Sequence, residues 1–247
     1  MDWLDLFYVF PEDVQPDFLT IVGDEFHHLT HVLRKRAGDS FLATDGRGAV
    51  FECRIDELQK NRLRAQITKK RRLVGEPVFK LTLALAILKK GRFEWVLEKA
   101  TEVGVSSFVP LTTERTIPQT NAISPKRCAG ITLAAMKQSF RSVLPTVADV
   151  QNFTATCKQA GDYDVKLLAH EQSSDSNLDQ VLSNSDPRYV KSGIVCIGPE
   201  GGFTDEEVEL AQRSGFAVFG LGPRRLRSET AAIVAAALIL DRMGELK

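Results

Sequence analysis

Arg224, Arg225 and Arg227 crowd into a short loop just ahead of Ser228, the expected N-cap of an apolar helix running from Ala231 to Leu240. Cations this dense at a helix N-terminus repel one another and the helix dipole, so they call for an anionic partner. Glu200 and Glu229 can supply part of it, and an RNA phosphate is the other candidate. A second stretch, Gly198-Pro199-Glu200-Gly201-Gly202, offers a different chemistry. It matches neither G-x-G-x-x-G nor the phosphate-cradling P-loop, so neither a dinucleotide nor a triphosphate has a fingerprint here. Its glycines let main chain approach a ligand closely and its proline stiffens the turn, which suits an adenine edge or a ribose. A purely structural tight turn is the alternative. Thr204 and Glu207 have the spacing of a capping box and fix where the next helix begins.

Other reactive residue types carry less. His27 and His31 have i, i+4 spacing with His28 between them, but no H-E-x-x-H acid accompanies them, so surface or capping histidines are expected rather than a metal site. Cys53, Cys128, Cys157 and Cys196 are isolated, which argues against zinc or a disulfide framework and for a reducing cytoplasm. Asp2 and Asp5 stand where a signal peptide would be basic, and there is no apolar run of about 18 residues, so a cytoplasmic protein with no membrane partner is expected. Lysine plus arginine equals aspartate plus glutamate at 32 each, which excludes a nonspecific polycationic nucleic-acid coat. Locally, Lys60 to Arg72 holds seven basic residues and no acid. A solvated strand edge is the preferred reading of that run, with a phosphate-contacting stripe as the alternative.

The elements that must position these residues fall into two regions, 1–74 and 75–247. The first reads as β-rich: a strand from Leu6 stopped by Pro11, a helix over Gly23 to Arg34, and a hairpin from Ser40 to Ile55 around Asp45-Gly46-Arg47-Gly48. A further strand from Leu63 to Ile67 completes a compact, barrel-like set. After Gly75-Glu76-Pro77 the pattern changes to strands alternating with helices. Strands are expected at Lys80 to Leu88, Ser107 to Thr112, Asp164 to Ala169, Ile194 to Ile197 and Val218 to Phe219. Helices are expected along the Phe93, Val96, Leu97, Ala100, Val103 stripe, at Pro125 to Ser139, and from Leu178. Ser173 to Asn177 and Asn184 to Pro187 read as mobile loops. Such alternation predicts a mostly parallel α/β sheet with helices on both faces and a ligand pocket at the carboxyl ends of its strands. Periodicity by itself predicts a plain doubly wound sheet.

Whole blocks carry a resemblance. I-G-P-E-G-G-F-T-x-x-E, L-G-P-R-x-L-R-x-E-T-A, and the earlier H-x-x-x-V-L-R and E-x-G-V segments resemble the bacterial 16S ribosomal RNA uridine-N3 methyltransferases, the RsmE family of the SPOUT superfamily, over essentially the whole chain. The resemblance implies a PUA-like RNA-binding β-barrel at 1–74 and a SPOUT methyltransferase domain with a deep trefoil knot at 75–247. It implies S-adenosylmethionine as methyl donor with no metal, a homodimer, and 16S rRNA, in the assembled small subunit, as substrate. Carried over by position, Leu168, His170, Ile197, Gly198, Pro199, Glu200, Gly201, Gly202, Leu221, Gly222, Leu226 and Thr230 would hold the donor. Arg227, Glu229, Arg141 and Gln138 would be catalytic, and His28, Arg34, Arg224 and Arg225 would contact RNA. Lys137 and Phe140 depart from the family pattern, which has an acid and a small residue there. A noncatalytic RNA-binding assembly factor and an ATP- or NAD-using enzyme are the alternatives, the second opposed by the missing phosphate fingerprints.

Overall fold

The structure is a computed structural model and describes residues 5–89, 91–117, 124–171, 178–183 and 185–246. The loop expected at Ser173 to Asn177, and Asn184 of the next one, lie outside the described residues. The chain divides into two compact units, one running to Glu76 and including Leu133–Leu144, the other holding Pro77–Thr132 and everything from Pro145.

The first unit is a curled five-stranded sheet. Its elements are β1 (Leu6–Tyr8), β2 (Phe18–Val22), α1 (Gly23–His27), β3 (Ser40–Thr44), β4 (Ala49–Leu58) and β5 (Arg62–Arg72), with strand order β1-β3-β4-β5-β2. The β3–β4 hairpin forms as expected, and Asp45 Oδ1 accepts from the backbone N–H of Arg47 at 2.8 Å and of Ala49 at 3.1 Å. Alternation along the strands sends Phe41, Ala43, Phe51, Cys53, Ile55, Leu63 and Ala65 into one core with Leu19 and Ile21. The strand β2 has no counterpart in the sequence reading. It covers Arg62 to Gln66 of β5, so the basic run is a free edge only in its second half, Lys69 to Arg72. The helix expected over Gly23 to Arg34 is interrupted: α1 passes into a π-helical turn, His28–Val32, and ends where Arg34 takes a left-handed φ of 55°.

Within this unit the segment Leu133–Leu144 is held by a buried ion pair. Arg141 Nη2 lies 2.9 Å from Glu76 Oε2, with both side chains 2% exposed. Glu76 Oε1 also accepts from the backbone N–H groups of Ser142 and Val143, each at 2.8 Å.

The second unit contains β6 (Lys80–Ala86), α2 (Arg92–Val103), β7 (Ser107–Thr112), most of α3 (Pro125–Gln138), β8 (Thr146–Val147), β9 (Gln151–Asn152), α4 (Phe153–Gln159), β10 (Val165–Ala169), α5 (Leu178–Val181), β11 (Ser192–Ile197), α6 (Asp205–Arg213), β12 (Ala217–Phe219) and α7 (Ser228–Arg242). All strand pairs are parallel, in the order β12-β10-β11-β6-β7-β8, with β9 also on β7. The two-residue period places Leu81, Leu83, Leu85, Val195 and Ile197 against α2 and α7. Ala84, Leu168, Ile194 and Cys196 face the other way, with Phe153 of α4 and Ala211 of α6. Both faces are therefore covered, which is why the central strands read as unbroken apolar runs. The expected α/β two-domain class is the one present. Unanticipated were α4, whose Asn152 cap accepts from Thr154 N at 2.9 Å, and the short strands β8 and β9.

Candidate active site

The two chemistry-bearing loops follow β11 and β12, and these strands flank β10 in the sheet. Three strand ends therefore open onto one hollow, at the position where open α/β sheets bind ligands. A cavity of about 420 Å3 lies there, lined by Ile197 to Glu200, Gly202 and Phe203 from the first loop and Leu221 to Ser228 (apart from Pro223) from the second. Ala169, His170 and Glu171 close it from β10, Ala231 from α7 and Arg92 from α2.

The first loop is braced from several sides. A Cβ on Gly198 would meet the Phe203 ring at 3.2 Å and Gly202 C at 3.3 Å, so only glycine fits without displacement. The Phe203 ring is buried and packs on Phe153 with centroids 4.8 Å apart. Arg115 Nη1 donates to the carbonyls of Gly201 at 2.8 Å and Phe203 at 3.2 Å. The loop then ends in the capping box expected for Thr204 and Glu207. Glu207 has a second task, accepting from Glu114 N at 2.9 Å.

The second loop is basic and open. Its strand, β12, is short and lies at the sheet edge. The helix α7 starts at Ser228, so Arg227 occupies the cap position and no side chain caps it; the expected Ser228 cap is corrected. Arg225 Nε lies 3.5 Å from Glu171 Oε2, an exposed pair. Among the described residues Arg224 and Arg227 have no carboxylate within salt-bridge distance, so their charge is available to an incoming anion. Glu200 and Glu229, expected to neutralise these arginines, instead meet Arg92, at 3.4 Å and 3.5 Å.

Several sequence-selected residues are placed differently from the rest. Leu168 is fully buried on the opposite face of the sheet from Leu167, so it reaches the cavity side through main chain alone. Gly201 turns its carbonyl to Arg115, and Thr230 is exposed on α7; neither lines the cavity. Glu229 does not line it either. Gln138 and Arg141 fall in the first unit, the former exposed, the latter enclosed with Glu76. His28 and Arg34 are exposed in that unit, and the His28 ring meets Phe7 edge-on at 5.5 Å. Lys137, where the family pattern has an acid, pairs with Glu25 of α1. Sequence reasoning missed Arg92, Arg115 and Glu171. Only Arg92 left a signal, as a cation at the start of a helix, where the dipole opposes it.

The chain and its fold have counterparts among known proteins. The RNA methyltransferase domain family matches residues 75–240, and the RNA methyltransferase PUA domain matches residues 21–68. The chain belongs to the RNA methyltransferase family. This methyltransferase is 34% identical over 94% of its length to the ribosomal RNA small subunit methyltransferase E of Synechocystis, covering 75% of that protein. It is 30% identical over 89% of its length to the one of Bacillus subtilis, covering 88% of it. Among solved structures, ribosomal RNA small subunit methyltransferase E from Neisseria gonorrhoeae, bound to S-adenosyl methionine, superposes with a TM-score of 0.85 at 27% identity, covering 97% of this chain and 98% of that one. A probable rRNA methyltransferase from Porphyromonas gingivalis gives 0.85 at 31% identity, covering 99% and 100%.

Proposed function

We propose that this methyltransferase transfers a methyl group from S-adenosylmethionine to N3 of a uridine in 16S rRNA of the small ribosomal subunit. The observation that carries the reading is the cavity itself: one glycine-walled hollow between two loops, with Arg224 and Arg227 at its rim and without a carboxylate partner among the described residues. The relatives named as small-subunit rRNA methyltransferases, and the superposing structure with bound S-adenosyl methionine, support it.

The residues present fit the donor. A volume of about 420 Å3 is in the range of small-ligand sites, and the lining joins apolar Ile197, Leu221 and Leu226 to the main chain of Gly198, Pro199, Gly202 and Gly222. These residues, with Glu200 and His170, are assigned to hold it. When bound, S-adenosylmethionine supplies an electrophilic methyl group on a cationic sulfur whose departure leaves a neutral thioether. The chain has to handle the other reactant. Uridine N3 is weakly acidic, and losing its proton to water places negative charge on the flanking carbonyl oxygens. Arg227, exposed at the rim and free of carboxylates among the described residues, stabilises that charge. Arg224 and Arg225 take RNA phosphates. The base must be unstacked to reach the cavity, which favours a single-stranded or loop site. His28, Arg34 and exposed Gln138 are kept as RNA contacts of the first unit, and Arg141 is given a structural part through Glu76. Leu168, Gly201 and Thr230 support the loops and strands around the donor rather than touching it by side chain.

A homodimer, a trefoil knot and a cytoplasmic location belong to the same reading. Trp95 on α2 and Leu238 on α7, both exposed, would be covered in a dimer, and among the described residues no helix is long and apolar enough to cross a membrane. The test incubates the protein with labelled S-adenosylmethionine and small subunits lacking the modification, then maps the label by mass spectrometry. Label on one uridine N3 is expected, and none after Arg227→Ala, whose donor affinity stays largely intact. No label in RNA from the wild-type protein overturns the reading in favour of a noncatalytic RNA-binding factor.

A further inference from the structure

Arg92 is the first residue of α2, entered through Gly91 with its left-handed φ of 71°. A cation there is opposed by the helix dipole, so something must hold it. Two carboxylates from separate elements do. Glu200 Oε1, on the loop after β11, lies 3.4 Å from Arg92 Nη1, and Glu229 Oε1, in the first turn of α7, lies 3.5 Å from Arg92 Nε. Among the described residues neither carboxylate has another ion pair. Glu229 is the more enclosed, with 13% of its side chain exposed and Oε2 buried without a hydrogen-bond partner among the described residues. Glu200 is 33% exposed and lines the cavity.

Two carboxylates converging on one guanidinium attract it and repel each other. Remove the cation and the repulsion remains, acting between a fixed partner and a yielding one. Glu229 is anchored in a helix whose inner face is buried beneath it, whereas Glu200 stands on the turn just ahead of the stretch that Arg115 braces, its side chain a third exposed. The loop is what would give way.

We propose that Arg92 is a positioning residue of the donor site: by bridging Glu200 and Glu229 it holds the first loop against the N-terminal turn of α7 and so sets the width of the cavity. The inference rests on the reading of this cavity as the donor site. Arg92 acts through the two carboxylates, and Glu229 acts through Arg92, which moves it from the reacting atoms to the frame around them.

Calorimetric titration with S-adenosylmethionine tests it, using wild type, Arg92→Met, Arg92→Lys, Glu229→Gln and the double variant Arg92→Met/Glu229→Gln, each checked for folding by circular dichroism. Arg92→Met is expected to weaken donor binding about tenfold or more, since one charged bridge and an uncompensated repulsion both act on the loop. Arg92→Lys should lose less, because a single ammonium can still meet one carboxylate. The double variant should bind like Glu229→Gln alone and better than Arg92→Met, because Glu229 does not line the cavity and removing its charge removes the repulsion. In turnover the donor KM should rise while kcat at saturating donor is kept. Donor affinity unchanged in Arg92→Met, or no recovery in the double variant, overturns the inference while leaving the functional reading intact. If Arg92→Met does not fold, Arg92→Lys and Glu229→Gln decide, and wild-type affinity in both overturns it. Wild-type protein that binds no S-adenosylmethionine overturns the functional reading and the inference with it.

Discussion

Gly198 shows how a single missing methyl group can shape a site. The space its Cβ would occupy is already filled by the Phe203 ring and the Gly202 carbonyl carbon, and Phe203 cannot retreat because Phe153 backs it. Gly198→Ala is therefore expected to push the loop into the cavity and raise the donor Kd at least about tenfold, measured by calorimetry, while unfolding changes by only about 1–3 kcal/mol as for other overpacking. The buried cysteines give a second expectation at this scale. Burial pushes the Cys53 thiol up to about 12 and that of Cys157 up to about 11. In the unfolded chain both ionise at ordinary thiol values, so the unfolded state releases protons first as pH rises. Their effect on stability is nil below about pH 8 and becomes destabilising from about pH 9 upward. The urea midpoint should fall across that window, and a Cys53→Ala/Cys157→Ala variant should show a shallower fall from its own starting value.

At the scale of elements, loops work here because helix ends fix them. The capping box of Thr204 and Glu207 satisfies two N–H groups at the start of α6 and so fixes where the first loop stops. Thr204→Ala should cost about 1 kcal/mol in denaturant unfolding and also weaken donor binding, a pairing that a remote cap would not produce. In the first unit the segment Leu133–Leu144 depends on Glu76, which meets Arg141 and two backbone N–H groups out of water. Glu76→Gln takes the carboxylate charge away from that buried guanidinium. A loss of roughly 3–5 kcal/mol is expected, read from the urea midpoint. A loss under about 1 kcal/mol would mean that the pair contributes little beyond its hydrogen bonds.

For the molecule as a whole, zero net charge conceals a local polarity. Lys69 and Lys70 lie on the half of β5 that β2 does not cover, exposed and without a carboxylate partner among the described residues, whereas Arg71 is paired with Glu52. If RNA lies along this run, Lys69→Ala/Lys70→Ala should reduce the slope of log affinity against log salt by about 1.5, two phosphate contacts' worth, in filter binding across a salt series. An unchanged slope would return the run to the role of a protected strand edge.

Much of this protein was legible along the chain. The Asp45–Gly48 hairpin, the apolar strands, the Thr204 cap and both cavity loops are set by neighbours in sequence, because turn chemistry, period and capping are local interactions. The alternation of strands with helices marked the mostly parallel α/β sheet in the same way. What the sequence could not determine is what each side chain meets across the fold. The edge strand β2, the placement of β10 between β11 and β12, and the retreat of Leu168 to the far face all depend on which strands pair. The fate of the charges depends on it even more: Glu200 and Glu229 stand closer in sequence to the loop arginines' own segment than to Arg92, yet tertiary packing of α2 beside α7 hands both to Arg92. Coulombic attraction acts through space, so the tertiary structure alone decided which cations are tied into the frame and which, Arg224 and Arg227, have no carboxylate partner among the described residues.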